Sequence, residues 1–139
     1  MAHEAYRTPE AALEGGGPRR PPRSAVVAVV LGTLGGIFSS IVGQAGLAVL
    51  GVSSEEMMSW TLGVPMSAAT GVVAGWVAAH WRRGPWLGVT LGIATIDVLV
   101  TLLGLALDTP GNPGTPAGAA MLAASLLGDF TGGWVGREW

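Results

Sequence analysis

Four long stretches of apolar residues, separated by short polar segments, dominate the chain. They cover residues 25–52, 60–81, 86–107 and 117–136. Each holds about 20 residues or more, enough to cross a hydrocarbon layer of ~30 Å at ~1.5 Å per residue. Inside lipid such a stretch has to be helical, because its backbone groups must bond within the segment. The pattern predicts an all-α integral membrane protein, a bundle of four spanning helices.

Two local signals refine the second of these helices. Ser53 is followed three residues later by Glu56, which is the spacing of a capping box. This pair predicts a helix start before Trp60. Pro65 lies inside the same stretch and would free the carbonyl of Thr61, so the sequence also predicts a kink there.

The first 24 residues have a different character. They show no apolar periodicity, and residues 15–23 are mostly glycine, proline and arginine. Such a composition cannot bury enough apolar surface to fold. The sequence therefore predicts a disordered cytoplasmic tail over 1–24 and a transmembrane domain over 25–139.

Basic residues give the predicted orientation. In a four-span topology all of them fall on one side of the membrane, which the positive-inside rule makes cytoplasmic. Both termini then face the cytoplasm, and the segments 53–59 and 108–116 lie outside, which indicates a multi-pass protein of the cell (inner or plasma) membrane. The basic residues are Arg7, Arg19, Arg20, Arg23, Arg82, Arg83 and Arg137.

Glycine recurs at four-residue spacing along the predicted helices. Small residues at i and i+4 form a flat stripe against which a second helix can pack closely. The stripes fit tight packing within one bundle, and they also fit outward-facing contacts in a homo-oligomer or a larger membrane complex. The predicted packing glycines are Gly63, Gly71, Gly75, Gly88, Gly92, Gly128, Gly132 and Gly136.

An internal repeat is a further hypothesis. Residues 75–81 read Gly-Trp-Val and then a tryptophan four residues later, and residues 133–139 repeat this spacing. Residues 31–37 resemble 87–93 at a nearly equal offset. Matching helices would run in the same direction, so the repeat would be a parallel two-plus-two arrangement of helix pairs.

The run from Gly71 to Gly84 (GVVAGWVAAHWRRG) and the run from Gly132 to Arg137 (GGWVGR) carry a resemblance. They resemble the small, glycine-zippered, four-helix bacterial membrane proteins of unknown function. The resemblance covers the second to fourth helices and implies the fold alone. No chemistry is attached to that family, so it implies no functional residue.

The amino-acid composition argues against several classes of protein function. Charged residues make up 12% of the chain, against about 25% in a soluble domain. There is no cysteine, and of the two histidines His3 lies in the tail, so neither a metal site nor a cofactor is predicted. His80 fits an interfacial residue better than a pigment or haem ligand. The net charge of −2 does not indicate nucleic-acid binding. No nucleophile–base pair or phosphate loop appears, so the chain is not predicted to be an enzyme.

Two acids fall inside predicted spans. An aspartate near a helix centre costs about 2.5–3.5 kcal/mol on insertion scales, so it usually faces a cavity or a partner. Asp97 shares a helix face with Thr101, and Thr70 and Ser125 lie at a similar depth. Together with Asp129 they form the predicted intramembrane polar site.

Two roles are open for that site. It could couple a proton or cation, or its acids could hold helices together by hydrogen bonds. For Asp129 the structural role is favoured, because Arg137 and the inner interface are near. A water-accessible cavity around Asp97 would favour the first role and a dry hydrogen bond the second.

The sequence therefore leaves two functions. The first is a non-enzymatic membrane scaffold or accessory subunit, surrounded by lipid and assembling through its glycine-striped helices. The alternative is a small proton- or ion-coupled transporter or channel centred on Asp97.

Overall fold

The computed structural model of the chain describes residues 24–82, 85–107 and 114–138, and all regular structure in that part is helical. This confirms the predicted all-α class for those residues. The predicted disorder of the tail lies outside them, as do residues 108–113 of the second predicted outer segment. The helices are α1 (Ala25–Val49), α2 (Ser54–Met57), α3 (Gly63–Arg82), α4 (Trp86–Ala106) and α5 (Pro116–Gly136).

The first helix ends earlier than predicted, at a glycine. Gly51 has a φ of 82°, in the left-handed region that side chains rarely adopt. Its amide donates to the carbonyl of Ala48, and the amide of Val52 donates to that of Leu47, each at 3.0 Å. These bonds satisfy carbonyls that the helix end would leave free. Gly51 therefore stops α1 and turns the chain toward α2.

The predicted capping box is present, but it caps a different helix. The Ser53 hydroxyl accepts the amide of Glu56 at 3.3 Å, and the Ser53 amide donates to the Glu56 carboxylate at 2.8 Å. These bonds close the four-residue helix α2, which ends at Met57. The next helix begins only at Gly63, so the prediction of a second helix starting before Trp60 was wrong.

The late start of α3 also changes the role of Pro65. It is the third residue of the helix, and the first four amides of any helix have no partner within it. Proline therefore removes no helical hydrogen bond here. The predicted kink at Pro65 assumed that the helix begins earlier, and that assumption was wrong.

The four long helices pack through small residues. α3 and α5 make the most extensive contact, α1 packs on α3, and α4 lies across α1, α3 and α5. The buried apolar cluster contains three alanines and two larger side chains, which brings the helix axes close together. Its members are Ala28, Ala74, Ala78, Val89 and Ile93.

Two of the described helices, α1 and α4, are long and apolar enough to cross a membrane. Both expose large apolar side chains, such as Phe38 (70% exposed) on α1 and Val100 (62%) on α4. The length and composition of these two helices thus agree with the predicted membrane spans. α3 and α5 are less apolar than α1 and α4, and they lie against each other.

Candidate functional site

The contact between α3 and α5 is made by backbone atoms. A Cβ added at Gly71 would lie 2.9 Å from the backbone nitrogen of Asp129, and it would overlap the carbonyl oxygen of Ser125. A Cβ at Gly75 would lie 2.8 Å from the nitrogen of Gly133 and would overlap the carbonyl oxygen of Asp129. No side chain fits between the helices at these positions. The two glycines thus set where Ser125 and Asp129 lie against α3.

The same contact is made from the other side. A Cβ at Gly128 would lie 2.9 Å from the nitrogen of Val72, and one at Gly132 would lie 2.8 Å from the nitrogen of Trp76. Contacts advance in the same direction along both helices, so α3 and α5 run parallel. The contact is symmetric, because Gly71 and Gly75 pack against α5 in the same way as Gly128 and Gly132 pack against α3. Gly75 therefore corresponds to Gly132. The sequence repeat instead matched Gly75 with Gly133, so the two registers differ by one residue.

The other predicted packing glycines have varied surroundings. Gly63 faces the methyl end of Met121, a Cβ at Gly92 would lie 2.8 Å from Val29 of α1, and one at Gly136 would lie 2.8 Å from the Trp76 carbonyl. Gly88 differs, because it is exposed and the nearest atom to its Cβ position is 3.7 Å away. The structure therefore places Gly88 outside the helix contacts.

Asp97 is joined to the neighbouring helix by a hydrogen bond. The Ser125 hydroxyl donates to its Oδ2 at 2.7 Å. That length is ordinary for a hydroxyl donating to an oxygen acceptor. The structure thus brings these two predicted site residues into contact and ties α4 to α5.

Asp129 is in a different situation. Its side chain is fully buried, and neither carboxylate oxygen has a hydrogen-bond partner within the described residues. The nearby Arg137 lies 3.6 Å from Glu138 and over the ring of Trp134. The predicted neighbour of Asp129 is therefore engaged elsewhere. A buried carboxylate without a partner is costly unless a proton or ion neutralises it.

A cavity of about 210 Å³ connects these groups. It lies between the four long helices and is lined by both Asp97 and Asp129, together with Thr70 and Ser125. A second cavity of about 340 Å³ shares Asp97 and Ser125 with it and is also lined by Thr101. All five residues of the predicted polar site thus line two adjoining cavities.

A third cavity, of about 330 Å³, lies toward α2 and shares Thr70 and Ser125 with the 210 Å³ cavity. Sequence reasoning missed it, since α2 was not predicted as a separate helix. Every methionine that the structure describes lines it. These are Met57, Met58, Met66 and Met121.

Thr33 is a site residue that the sequence reasoning did not identify. It lines the 210 Å³ cavity, and its hydroxyl oxygen is buried without a partner within the described residues. In the sequence it is marked only by its position next to Gly32, and in the structure Gly32 packs on α3. A Cβ at Gly32 would lie 2.7 Å from the carbonyl of Ala74.

His80 is stacked on an aromatic ring. Its ring centroid lies 5.1 Å from that of Trp76, with 14° between the ring planes. This stacking gives His80 a structural role in packing near the end of α3. Among the described residues there is no group of three or more histidine, aspartate or glutamate side chains suited to a metal ion.

No protein-family model matches the chain, and neither a curated protein nor a solved structure matches it.

Proposed function

We propose that the chain is a multi-pass membrane protein in which α1, α3, α4 and α5 all cross the bilayer. The length of α3, 20 residues, corresponds to about 30 Å of helix. The glycine faces of α3 and α5 are turned toward each other, so their lower apolarity is compatible with a place inside a bundle. The arginine distribution puts both termini on the cytoplasmic side of the cell membrane. A bacterial source agrees with the resemblance of the sequence to small, glycine-zippered bacterial membrane proteins.

Within this bundle we propose a proton- or cation-binding site that serves a small ion-coupled transporter or channel. One observation carries the proposal. Asp97 and Asp129 line the same 210 Å³ cavity, and none of the described residues lining it is basic. Two carboxylates facing one cavity repel each other unless a proton or cation lies between them. Ionisable residues at such depth usually mark an ion or proton pathway.

The shape of the bundle supports access from one side. The three cavities share lining residues from the α2 end down to Asp129. Past Asp129 the helices are tightly packed, because Ala78 and Val89 are fully buried and Gly133 lies against Trp86. A site open toward one face and closed toward the other is what an alternating-access transporter presents in one of its states.

The second candidate is a non-enzymatic scaffold or accessory subunit, in a homo-oligomer or larger membrane complex. The hydrogen bond from Ser125 to Asp97 favours it, since that bond gives Asp97 a structural role. The glycine stripes of α3 and α5 are occupied within the chain. A partner would therefore have to bind the outer faces of α1 and α4, where Gly88 is exposed.

Flux measurements in proteoliposomes test the proposal. Wild-type protein should carry protons, sodium or potassium down an imposed gradient, and Asp97→Asn should abolish this flux while folding normally. Glu55→Gln is the matched control, because it removes one carboxylate from an exposed position on α2. Absence of flux under every gradient would reject transport. Recovery of a stable partner from mild detergent would then support the scaffold.

A further inference from the structure

Backbone contacts hold Asp129 inside the bundle, at the wall of the 210 Å³ cavity. Its backbone nitrogen and oxygen lie against Gly71 and Gly75, and its side chain has no exposed surface. Buried polar atoms in folded proteins are paired in the great majority of cases. Two unpaired carboxylate oxygens at the wall of a cavity thus point to a ligand.

Thr33 provides an independent observation on another helix. Threonine hydroxyls within helices commonly donate to a carbonyl of the preceding turn. Thr90, Thr95 and Thr131 do so, at 3.0, 2.8 and 2.8 Å. The Thr33 hydroxyl has no partner within the described residues although it is buried. It lines the same 210 Å³ cavity as Asp129.

The polar side chains around this cavity offer only oxygen. They come from Thr33, Ser40, Thr70, Asp97, Ser125 and Asp129. Carboxylate and hydroxyl oxygens suit hard cations, whereas nitrogen and sulfur suit softer metals. The volume would hold several water molecules at roughly 30 Å³ each. A bound proton needs only one carboxylate. Protonation alone would therefore explain neither the volume of the cavity nor the unpaired Thr33 hydroxyl at its wall.

We propose that this cavity binds an alkali cation such as sodium, with Asp129 as its charged ligand and Thr33 as a hydroxyl ligand. The inference rests on the proposed function, whose cation-binding cavity it identifies in detail. Asp129 is assigned as the charged ligand because neither of its carboxylate oxygens has a partner within the described residues, whereas Asp97 accepts the Ser125 hydroxyl.

Binding of ²²Na⁺ to the purified full-length protein in mild detergent tests this without requiring transport. Wild type and Glu55→Gln should show saturable binding, and Asp129→Asn should lose it. Thr33→Val should weaken the affinity about tenfold by removing one oxygen ligand of the ion, an effect comparable to the loss of one hydrogen bond to a charged group. Thr33→Val should also fold at least as well as wild type, since it removes an unpaired buried hydroxyl.

The failures of the two proposals can be told apart. No saturable ²²Na⁺ binding by wild type, or undiminished binding by Asp129→Asn, overturns the sodium site. If liposomes then still carry protons in an Asp97-dependent way, the proposed function stands with a proton as its ion. If binding depends on Asp129 but no flux occurs, the cation site stands and transport fails. Unchanged affinity in Thr33→Val, with raised stability, overturns the assignment of Thr33.

Discussion

Gly75 of α3 lies directly against the backbone of Asp129 on α5, so that a methyl group on Gly75 would overlap the Asp129 carbonyl oxygen. This contact links two features that the sequence shows separately. The glycine spacing indicates helix packing, and the aspartate indicates a polar site within a span. In the structure the packing glycine fixes the position of the acid, so disruption of the contact should affect both.

Substitution of Gly75 by leucine should therefore destabilise the fold. Overpacking in a tight interior typically costs about 1–3 kcal/mol, and here backbone atoms rather than flexible side chains would have to move. Gly88→Leu is the matched control, since its Cβ would meet nothing closer than 3.7 Å. Thermal unfolding in detergent, followed by tryptophan fluorescence, should show a clear loss for Gly75→Leu and little change for Gly88→Leu. Equal melting temperatures would mean that α3 and α5 do not pack as described.

The bond between Ser125 and Asp97 can be tested by stability. Asp97→Asn keeps an acceptor for the serine hydroxyl and should cost less than about 1 kcal/mol, since intramembrane hydrogen bonds average only ~0.6 kcal/mol. Asp97→Leu should cost about 1–3 kcal/mol by leaving the hydroxyl unpaired. Adding Ser125→Ala to Asp97→Leu should recover part of that loss. Additive effects of the two substitutions would show that the side chains do not interact.

Topology follows from the four-span proposal. Reporter fusions placed after Asn112, which lies outside the described residues, and after Trp139 should report opposite sides of the membrane. The fusion after Trp139 should be cytoplasmic. If both reporters are found on the same side, α5 does not span the bilayer and the four-span arrangement has to be abandoned.

Glu56 predicts a local dependence on pH. Its hydrogen bonds from the Ser53 amide and hydroxyl hold the pKa of the carboxyl below its ordinary value of 4.5. A pKa that is lower in the folded state stabilises the fold above the unfolded pKa, and this contribution is lost as pH falls through the folded pKa. Amide exchange over residues 54–58 should therefore be slower in wild type than in Glu56→Gln at pH 6. The two should converge once the pH falls below this lowered pKa, where protonated glutamate resembles glutamine. A difference that persists in acid would exclude the carboxylate as its cause.

Much of the architecture could be predicted from apolar stretches, since α1, α4 and α5 begin within a residue of their predicted starts. The error at α3 has a physical cause. A capping box marks a helix start without fixing the length of the helix, and α2 ends after one turn. The polar site was predicted because charged and hydroxyl residues at equal depth are conspicuous in apolar helices. Thr33 was missed because its importance depends on which face of α1 meets α3, and a composition rich in alanine and glycine does not define that face.

The most direct test of the account asks whether the polar cavity contains water that is continuous with the outside. The chain has no cysteine, so single cysteines can be introduced without background labelling. Thr70→Cys lines the cavities that lead from α2 to Asp129, and Leu99→Cys, on the exposed face of α4, is the lipid-facing control. A membrane-impermeant thiol reagent should modify the cysteine at position 70 when added on the α2 side and not when added on the opposite side, and it should leave the one at position 99 unmodified. If position 70 is unreactive from both sides in folded protein, the cavity is dry, and the ion-binding account is contradicted.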